Sequence, residues 1–223
     1  MKIKSTTIVD TFAEAFKMYG SRVIITASSK EWAMAAAQSI TGFATSVIGC
    51  KCEAGIEAII DANDSPDLRP GVSVLIFAMD AESLGKRLME RIGQCVMTCP
   101  TTACYNGLVG GSPVMVGGKL RYFGDGHQIS KVIDGLKFWR IPVMDGEFLV
   151  NDEFNVQEAV GGGNLLILGK DQKATLKAAS AATKAMSQLT DIILPFPNGV
   201  VRSGSKVGSK YKKMIASTND SYC

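Results

Sequence analysis

The residue types best suited to chemistry in this chain of 223 residues lie in one cationic loop, residues 196–220. No Asp or Glu occurs between Asp191 and Asp220. The basic residues of the loop are Arg202, Lys206, Lys210, Lys212 and Lys213. Serines such as Ser203 and Ser205 alternate with glycines, which let a backbone approach a ligand closely. Because hydroxyls and backbone N–H groups bind oxyanions and basic side chains add charge, this pattern predicts a loop that holds an anionic ligand.

Three other interpretations of the cationic loop stay open on its residues alone. Residues 199–206 resemble a phosphate-binding P-loop, but that motif has lysine directly after its second glycine, and Ser205 intervenes here. The cations and the aromatic Tyr211 could follow a nucleic-acid backbone, although the net charge is only +3 at pH 7. A solvated loop without any ligand is the remaining alternative.

The histidine and the cysteines form no recognisable metal motif. The chain has one histidine, His127, beside a Gly-Asp-Gly turn. Among its six cysteines, Cys50-x-Cys52 and Cys95-x-x-x-Cys99 lack the paired C-x-x-C spacing of structural zinc. These patterns predict no bound metal and inert or buried thiols.

Composition is typical of a globular protein, with 46% hydrophobic and 20% charged residues. The length suffices for one sizeable core or two smaller ones. The first ten residues include no apolar signal segment, and no apolar run reaches the length of a membrane span. Together with cysteines that suggest reduced thiols, this predicts a cytoplasmic protein.

Alternation of strand and helix patterns predicts an α+β fold. Ser28-x-x-Glu31 is a capping-box pattern that begins one helix, and Asp80 can cap a second. The predicted strands of this part are residues 22–27, 72–79 and 103–108, with two strand segments, 44–50 and 56–60, that take one further place in the order. The resulting β-α-β-β-α-β order is a split βαβ arrangement, in which two helices cover one face of an antiparallel sheet. Residues 117–143 are predicted to add β-structure, with a hairpin near Asp134-Gly135.

A second unit is predicted after Glu147. Its strands would be residues 164–168 and 192–194, with a helix between them that Asp171 caps. The helix would bury one face, formed by Leu176, Ala179, Thr183, Met186 and Leu189. The sequence thus predicts two ferredoxin-like (split βαβ) lobes: residues 1–146 with an extra β-hairpin, and residues 147–223, a truncated lobe with only the first β-α-β.

Ten sequence blocks resemble one known family in the same order along the chain. They are Asp10-Thr-Phe-Ala-Glu-Ala-Phe16, Thr41-Gly-Phe-Ala-Thr-Ser-Val47, Cys52-Glu-Ala-Gly-Ile56, Arg69-Pro-Gly71, Pro100-Thr-Thr102, Phe123-Gly-Asp-Gly126, Gly161-Gly-Gly-Asn164, Pro195-Phe-Pro197, Ser203-Gly-Ser-Lys-Val-Gly208 and Ala216-Ser-Thr-Asn219. The family is formylmethanofuran–tetrahydromethanopterin formyltransferase. Residues 121–126 and 139–148 look like its bacterial version, which resembles a subunit of a formyltransferase/hydrolase complex.

The resemblance implies reversible formyl transfer between formylmethanofuran and N5 of tetrahydromethanopterin. It implies neither metal nor prosthetic group, the two ligands being cosubstrates. It also implies a homo-oligomer, dimer or tetramer, and hydrolase-complex subunits as possible partners, without nucleic acid or membrane. Family members continue beyond the point that matches Cys223, so the chain looks like the family without its C-terminal end. A truncated, non-catalytic assembly subunit of the formyltransferase/hydrolase complex is therefore the alternative function.

Formyl transfer between amines requires orientation of the two substrates, stabilisation of one oxyanion and movement of one proton. Glu53 is the candidate proton carrier, although a structural carboxylate that accepts turn N–H bonds is the alternative for this residue. The candidate substrate-binding residues are Asn164, Asn198, Arg202, Ser203, Ser205, Lys206, Lys210, Ser217 and Asn219. The basic members would bind the carboxylates or phosphates in the tails of the two ligands.

Overall fold

One long central strand organises the fold: it pairs with three other strands, and two helices pack on it. The computed structural model describes residues 1–11, 14–216 and 220–222. The strands are β1 (Lys2–Ile3), β2 (Thr6–Thr7), β3 (Ala15–Thr26), β4 (Glu53–Ile60), β5 (Gly71–Ala78), β6 (Ala103–Asn106), β7 (Ser112–Met115), β8 (Ile129–Ile133), β9 (Leu136–Val143), β10 (Gly146–Asn151) and β11 (Glu153–Gly162). The α-helices are α1 (Lys30–Thr41), α2 (Val47–Cys50), α3 (Ala81–Arg91), α4 (Gly117–Leu120) and α5 (Gln172–Met186).

The first half of the chain forms the predicted split βαβ unit. Its strands lie in the order β4-β5-β3-β6, and each neighbouring pair is antiparallel. The helices α1 and α3 pack on one face of this sheet. The α+β class is therefore confirmed, as is the β-α-β-β-α-β order of this part.

Side chains on the helix-covered face form the hydrophobic core. Val23 and Ile25 of β3 are fully buried, and so are Val74 and Ile76 of β5. They pack with apolar residues of the two helices, among them Ile40, Leu84 and Leu88. Because the sheet residues between these positions point to the opposite face, that face is free to carry polar and charged side chains.

Capping residues begin the helices near the predicted positions. Ser29, not Ser28, caps α1 by accepting a hydrogen bond from the Trp32 N–H. Asp80 caps α3 as predicted, since it accepts the Ser83 N–H at 2.7 Å. Beyond α3 the chain continues as a π-helical turn, Ile92–Val96, which buries two further apolar residues, Ile92 and Val96.

The β-hairpin predicted near Asp134-Gly135 is confirmed. It joins β8 to β9, and Asp134 and Gly135 both have positive φ, 50° and 79°, as a two-residue hairpin turn needs. Residues 117–124, however, are helical where β-structure was expected. A Cβ on Gly117 would lie 2.2 Å from the Asn151 carbonyl oxygen, so the glycine lets this turn close against the end of β10.

Residues 44–50 are not a strand as predicted. They lead into the single-turn helix α2, which Ser46 caps by accepting the Ile48 N–H. Residues 164–168 and 192–194 also lie outside any strand. Their apolar patterns suit a strand, but a strand also needs a hydrogen-bonding neighbour, which local sequence does not show.

Helix α5 begins at its predicted cap, because Asp171 accepts the Ala174 N–H at 2.7 Å. Of its expected core face only Ala179 is buried, and Leu176 is 52% exposed. The predicted lobe boundary at residues 146/147 falls at the start of β10, and β10 and β11 both join the sheet of the first unit. The division into two lobes at that position stays a prediction.

Asparagine side chains join two strands that share one edge of β3. Residues 15–20 of β3 pair with β11, and residues 23–26 pair with β6. At the gap between β6 and β11, Asn106 accepts the Asn155 N–H at 3.0 Å, and both side-chain amides donate to the Leu108 carbonyl. Ser21 donates to the Asn155 carbonyl oxygen at 2.8 Å. The backbone groups at the gap are therefore satisfied although neither ladder covers them.

Asp67 organises the loop before β5. It accepts hydrogen bonds from Thr26 at 2.7 Å, Arg69 at 2.7 Å and the Tyr105 hydroxyl at 2.9 Å. Arg69 also donates to the Thr101 carbonyl at 2.6 Å, which connects two of the sequence blocks. Burial alone would raise the pKa of Asp67, but these hydrogen bonds lower it by more.

No helix within the described ranges is long and apolar enough to cross a membrane.

Asp67→Asn should lower the free energy of unfolding by about 1–3 kcal/mol near neutral pH, because it leaves buried donors imperfectly paired. The folded-state pKa of Asp67 is lowered, so its stabilisation is full above the ordinary value of about 3.9 and is lost as the pH falls through the lowered value. Urea unfolding of both proteins from about pH 7 to about pH 2.5 should therefore show converging stabilities at the acid end. The exposed Asp61→Asn change in the same loop is the control, and a gap between wild type and Asp67→Asn that stays constant with pH would contradict the assignment.

Candidate functional site

A broad open cleft of about 1880 Å³ lies on the sheet face that α1 and α3 leave uncovered. Its floor includes Gly20 of β3 and Phe77 of β5. Its other walls come from the end of β11, from α5 and from residues 191–204. The cleft thus lies between the split βαβ unit and the part of the chain that holds the cationic loop.

The cationic loop begins with a tight turn at the cleft wall. Asn198 and Gly199 both have positive φ, 51° and 72°, and the Gly199 N–H donates to the Phe196 carbonyl at 2.7 Å. A Cβ on Gly199 would lie 2.8 Å from a methyl carbon of Leu194. Glycine is therefore required here both by the backbone conformation and by the close approach of Leu194.

Four of the predicted site residues line the cleft: Glu53, Asn164, Arg202 and Ser203. Four others lie exposed in the cationic loop and do not line the cleft: Asn198, Ser205, Lys206 and Lys210. Ser217 and Asn219 lie outside the described residues. The fold therefore brings the start of β4, the end of β11 and the start of the cationic loop together, although these lie far apart in sequence.

Glu53 occupies the first position of β4, half-buried at the rim of the cleft. One carboxylate oxygen accepts the Val47 N–H, at the first residue of α2, at 3.4 Å. This contact is of the kind that the structural alternative for Glu53 requires. The side chain also reaches the cleft, so its role as proton carrier stays a prediction.

The cationic loop contains no helix or strand between residues 200 and 216. Ser203 donates to the Gly204 carbonyl at 3.2 Å, and Ser209 accepts the Tyr211 N–H at 3.1 Å. Its cations are solvent-exposed, and exposed charges of this kind contribute little to folding. A P-loop would need a strand directly before residues 199–206 and a helix directly after them, and the described residues on both sides form neither, so that interpretation is wrong.

The structure holds a cluster near the cleft that sequence patterns missed, a charged junction formed by Arg22, Glu57, Ser73 and Asp191. Arg22 donates two hydrogen bonds to the Glu57 carboxylate, each 2.7 Å long. Ser73 donates to the same carboxylate at 2.7 Å, and so does the Asp191 N–H at 2.9 Å. Arg22 also pairs with the Asp191 carboxylate. The available signal was an arginine inside the apolar pattern of β3, which needs a partner when its strand is central.

Electrostatics in the charged junction favour the ionised forms. Burial alone would raise the pKa of Glu57, but the hydrogen bonds from Arg22, Ser73 and the Asp191 N–H lower it by more. The pKa of Arg22 is raised, chiefly by its hydrogen bonds to Glu57. Arg22 and Glu57 therefore stay charged across the physiological range, and Glu57 holds the backbone of residue 191 on the sheet.

Among the described residues, no three His, Cys, Asp or Glu side chains are grouped as a metal site would need. The five cysteines of this part of the chain are free thiols. Burial raises the pKa of Cys104 far above its ordinary value, which makes this thiol a poor nucleophile. The chemistry available in the cleft is therefore that of carboxylate, amide, hydroxyl and guanidinium groups.

Two protein-family models match the chain. The model described as formylmethanofuran-tetrahydromethanopterin formyltransferase matches residues 1–143, and the one described as its proximal lobe matches residues 146–223. A protein named formylmethanofuran--tetrahydromethanopterin formyltransferase from Methylococcus capsulatus is 57% identical over 223 residues, covering 100% of this chain and 75% of the relative. A protein of Methylorubrum extorquens, named as one of the subunits of the formyltransferase/hydrolase complex, is 50% identical over 222 residues, covering 97% of this chain and 71% of that protein.

Two solved structures are similar over the whole chain. The crystal structure of the formyltransferase/hydrolase complex from Methylorubrum extorquens with methylofuran matches with a TM-score of 0.94 and 49% identity, covering 100% of this chain and 74% of the matching one. The formylmethanofuran:tetrahydromethanopterin formyltransferase of Methanosarcina barkeri matches with a TM-score of 0.90 and 46% identity, covering 100% of this chain and 76% of the other.

Proposed function

We propose that this chain, which belongs to the formylmethanofuran–tetrahydromethanopterin formyltransferase family, transfers a formyl group reversibly between formylmethanofuran and N5 of tetrahydromethanopterin. The observation that carries the proposal is the match to this family from end to end, at 57% identity to one named enzyme. The cleft that gathers Glu53, Asn164, Arg202 and Ser203 is its structural support.

Direct attack by the acceptor amine accounts for the residue types in the cleft. The amine nitrogen bonds to the formyl carbon of the donor and gives a tetrahedral intermediate with an oxyanion. The bond from that carbon to the donor nitrogen then breaks, and the proton lost by the acceptor amine ends on the donor nitrogen. No covalent enzyme intermediate forms, so neither a reactive cysteine nor a Ser–His pair is needed.

Residues of the cleft and of the cationic loop each have a task in this scheme. The Asn164 amide can donate a hydrogen bond to the oxyanion, together with backbone N–H groups of the preceding glycines. Glu53, partly shielded from water, can carry the proton between the two nitrogens. Arg202, Lys206 and Lys210 offer charge-assisted hydrogen bonds to the anionic tails of both cosubstrates, while Ser203 and Ser205 shape the loop.

Assembly is part of the proposal. The chain would form a homo-oligomer, or associate with hydrolase subunits as its Methylorubrum extorquens relative does in the named complex. Exposed apolar side chains around α5 support this, among them Leu165 at 74% and Leu176 at 52% exposure, because large apolar patches mark interaction surfaces. The second candidate function, a non-catalytic assembly subunit, rests on the same similarity. With either function, we propose that the protein is cytoplasmic.

Lys206→Met tests the anion-binding role of the cationic loop. One charge-assisted contact is worth about 1.5–3 kcal/mol, so cosubstrate binding should weaken roughly ten- to a hundredfold. Thermal stability should hardly change, because an exposed loop charge adds little to folding. Calorimetric titration and thermal melts measure the two quantities, with Lys131→Met on exposed strand β8 as the matched control. Unchanged affinity with a lowered melting temperature would assign Lys206 a structural role.

Glu53→Gln separates the two roles of that carboxylate. If Glu53 carries the proton, kcat should fall by about 10²–10⁴, the usual range for a lost acid–base group. The Val47 N–H keeps an acceptor in this variant, so stability should hold. Steady-state kinetics and thermal melts decide, with Glu31→Gln in the first turn of α1 as control. A normal kcat together with a lowered melting temperature in Glu53→Gln would leave only the structural role for Glu53. Absence of turnover in the wild type would favour the non-catalytic assembly subunit.

Self-association of the purified chain is the expected result of its exposed apolar surface. Light scattering at micromolar concentration should give a mass above the 23.7 kDa of one chain. Leu165→Lys should reduce the associated fraction, and Lys170→Glu, a charge change nearby, serves as its control. A stable monomer at all concentrations would remove the homo-oligomer from the proposal.

A further inference from the structure

We propose that the charged junction of Arg22, Glu57, Ser73 and Asp191, together with Gly55, positions the cationic loop relative to Glu53. The residues act on substrate through the loop and do not contact the reacting atoms. This inference rests on the proposed function, since it concerns the same cleft.

Strand β4 carries Glu53 together with two parts of this device, Gly55 and Glu57. Glu53, Gly55 and Glu57 occupy alternate positions of the strand, and Glu53 and Gly55 pair with Phe77 and Leu75, which line the cleft. The ladder with β5 shifts register between Ile56 and Ala58, so Glu57 lies in a β-bulge. A bulge redirects its side chain, and here the side chain turns towards Arg22 and residue 191.

The Glu57 carboxylate is filled by protein donors. It accepts two hydrogen bonds from Arg22, one from Ser73 and one from the Asp191 N–H, all between 2.7 and 2.9 Å. Only 7% of the side chain is exposed. No acceptor capacity remains for a ligand, so this carboxylate is a structural anchor and not a substrate contact.

Residue 191 is held at two points. Its N–H bonds to Glu57, and its carboxylate pairs with Arg22. Its backbone has a positive φ of 66°, a conformation that costs energy in residues other than glycine and persists where surrounding contacts fix it. The junction thereby fixes where the chain that follows α5 contacts the sheet.

Gly55 contacts the same segment at Ile193, two residues after Asp191. A Cβ at this position would lie 2.8 Å from the Ile193 Cβ, closer than real Cβ contacts come. The missing side chain lets Ile193 lie against β4. Between Ile193 and the first loop cation, Arg202, only the turn at Asn198 and Gly199 intervenes. Strand β4 therefore carries both Glu53 and the two residues that hold the start of the loop, Gly55 and Glu57.

Glu57→Gln is the first test, because it removes the charge while keeping the shape. Amide exchange in residues 189–196 should become roughly tenfold faster, the scale of one lost charge-assisted hydrogen bond. The dissociation constant for formylmethanofuran, measured by calorimetric titration well below the melting temperature, should rise by about the same factor. The turnover number at saturation should hold, because the reacting groups are unchanged.

Arg140–Glu147 offers a matched control. It is also a two-bond Arg–Glu pair, with distances of 2.6 and 2.8 Å. It joins the neighbouring strands β9 and β10 away from the cleft, whereas Arg22 and Glu57 lie on strands on either side of β5. Glu147→Gln should leave both exchange in residues 189–196 and affinity unchanged. Gly55→Ala, which leaves every charge in place, should reproduce the effect of Glu57→Gln if the latter fails to fold. Its control is Gly85→Ala in α3, where the added methyl meets only ordinary contacts.

The outcomes separate this inference from the proposed function. Faster exchange with weaker binding in the variants supports the positioning role. If the wild type binds formylmethanofuran without turning it over, only the proposed transferase activity is contradicted, and the positioning role still stands. Faster exchange with unchanged affinity overturns the positioning role and leaves the transferase standing. Unchanged exchange in both Glu57→Gln and Gly55→Ala overturns the anchor itself, and so does a lowered melting temperature as the sole effect.

Discussion

Pairing along both edges of β3 is the constraint on which the rest of the structure depends. One edge pairs with β5 over residues 19–26, and the other is shared by β11 and β6. Because every residue of such a strand points either to the helices or to the cleft, its two faces had to diverge in chemistry. Val23 and Ile25 fill the core on one side, while Gly20 and Arg22 shape the cleft on the other.

Charge on the cleft face is tolerated because each buried group is paired with several donors or acceptors. Asp67 and Glu57 each collect hydrogen bonds from strands that neighbour each other in the sheet and from adjoining loops. A buried carboxylate left without such partners would cost several kcal/mol. The hydrogen bonds of these two carboxylates also hold loops against the sheet, so the interactions that stabilise the buried charges are the ones that position the loops.

Local signals in the sequence were sufficient for helix caps and one tight turn, and insufficient for several strands. Asp80, Asp171 and the Asp134-Gly135 turn could be placed from sequence because capping and turn chemistry depend on neighbouring residues. Residues 44–50 and 192–194 were misassigned because strand formation needs a distant partner. At the site, sequence patterns and family resemblance indicated Glu53 and the cationic loop, but the charged junction arises only when residues 22, 57, 73 and 191 meet. No local pattern encodes that meeting.

The asparagine gap between β6 and β11 has a consequence for how the chain is made. Ser21 and Asn155, which meet there, are 134 residues apart. During synthesis, β3 to β6 can pair as soon as residue 106 has left the ribosome, whereas the first half of β3 keeps one edge open until β11 follows. Contacts of such long sequence separation form slowly. A nascent chain would therefore expose residues 15–20 as a half-paired part of the central strand for seconds, at ordinary elongation rates of about 5–20 residues per second.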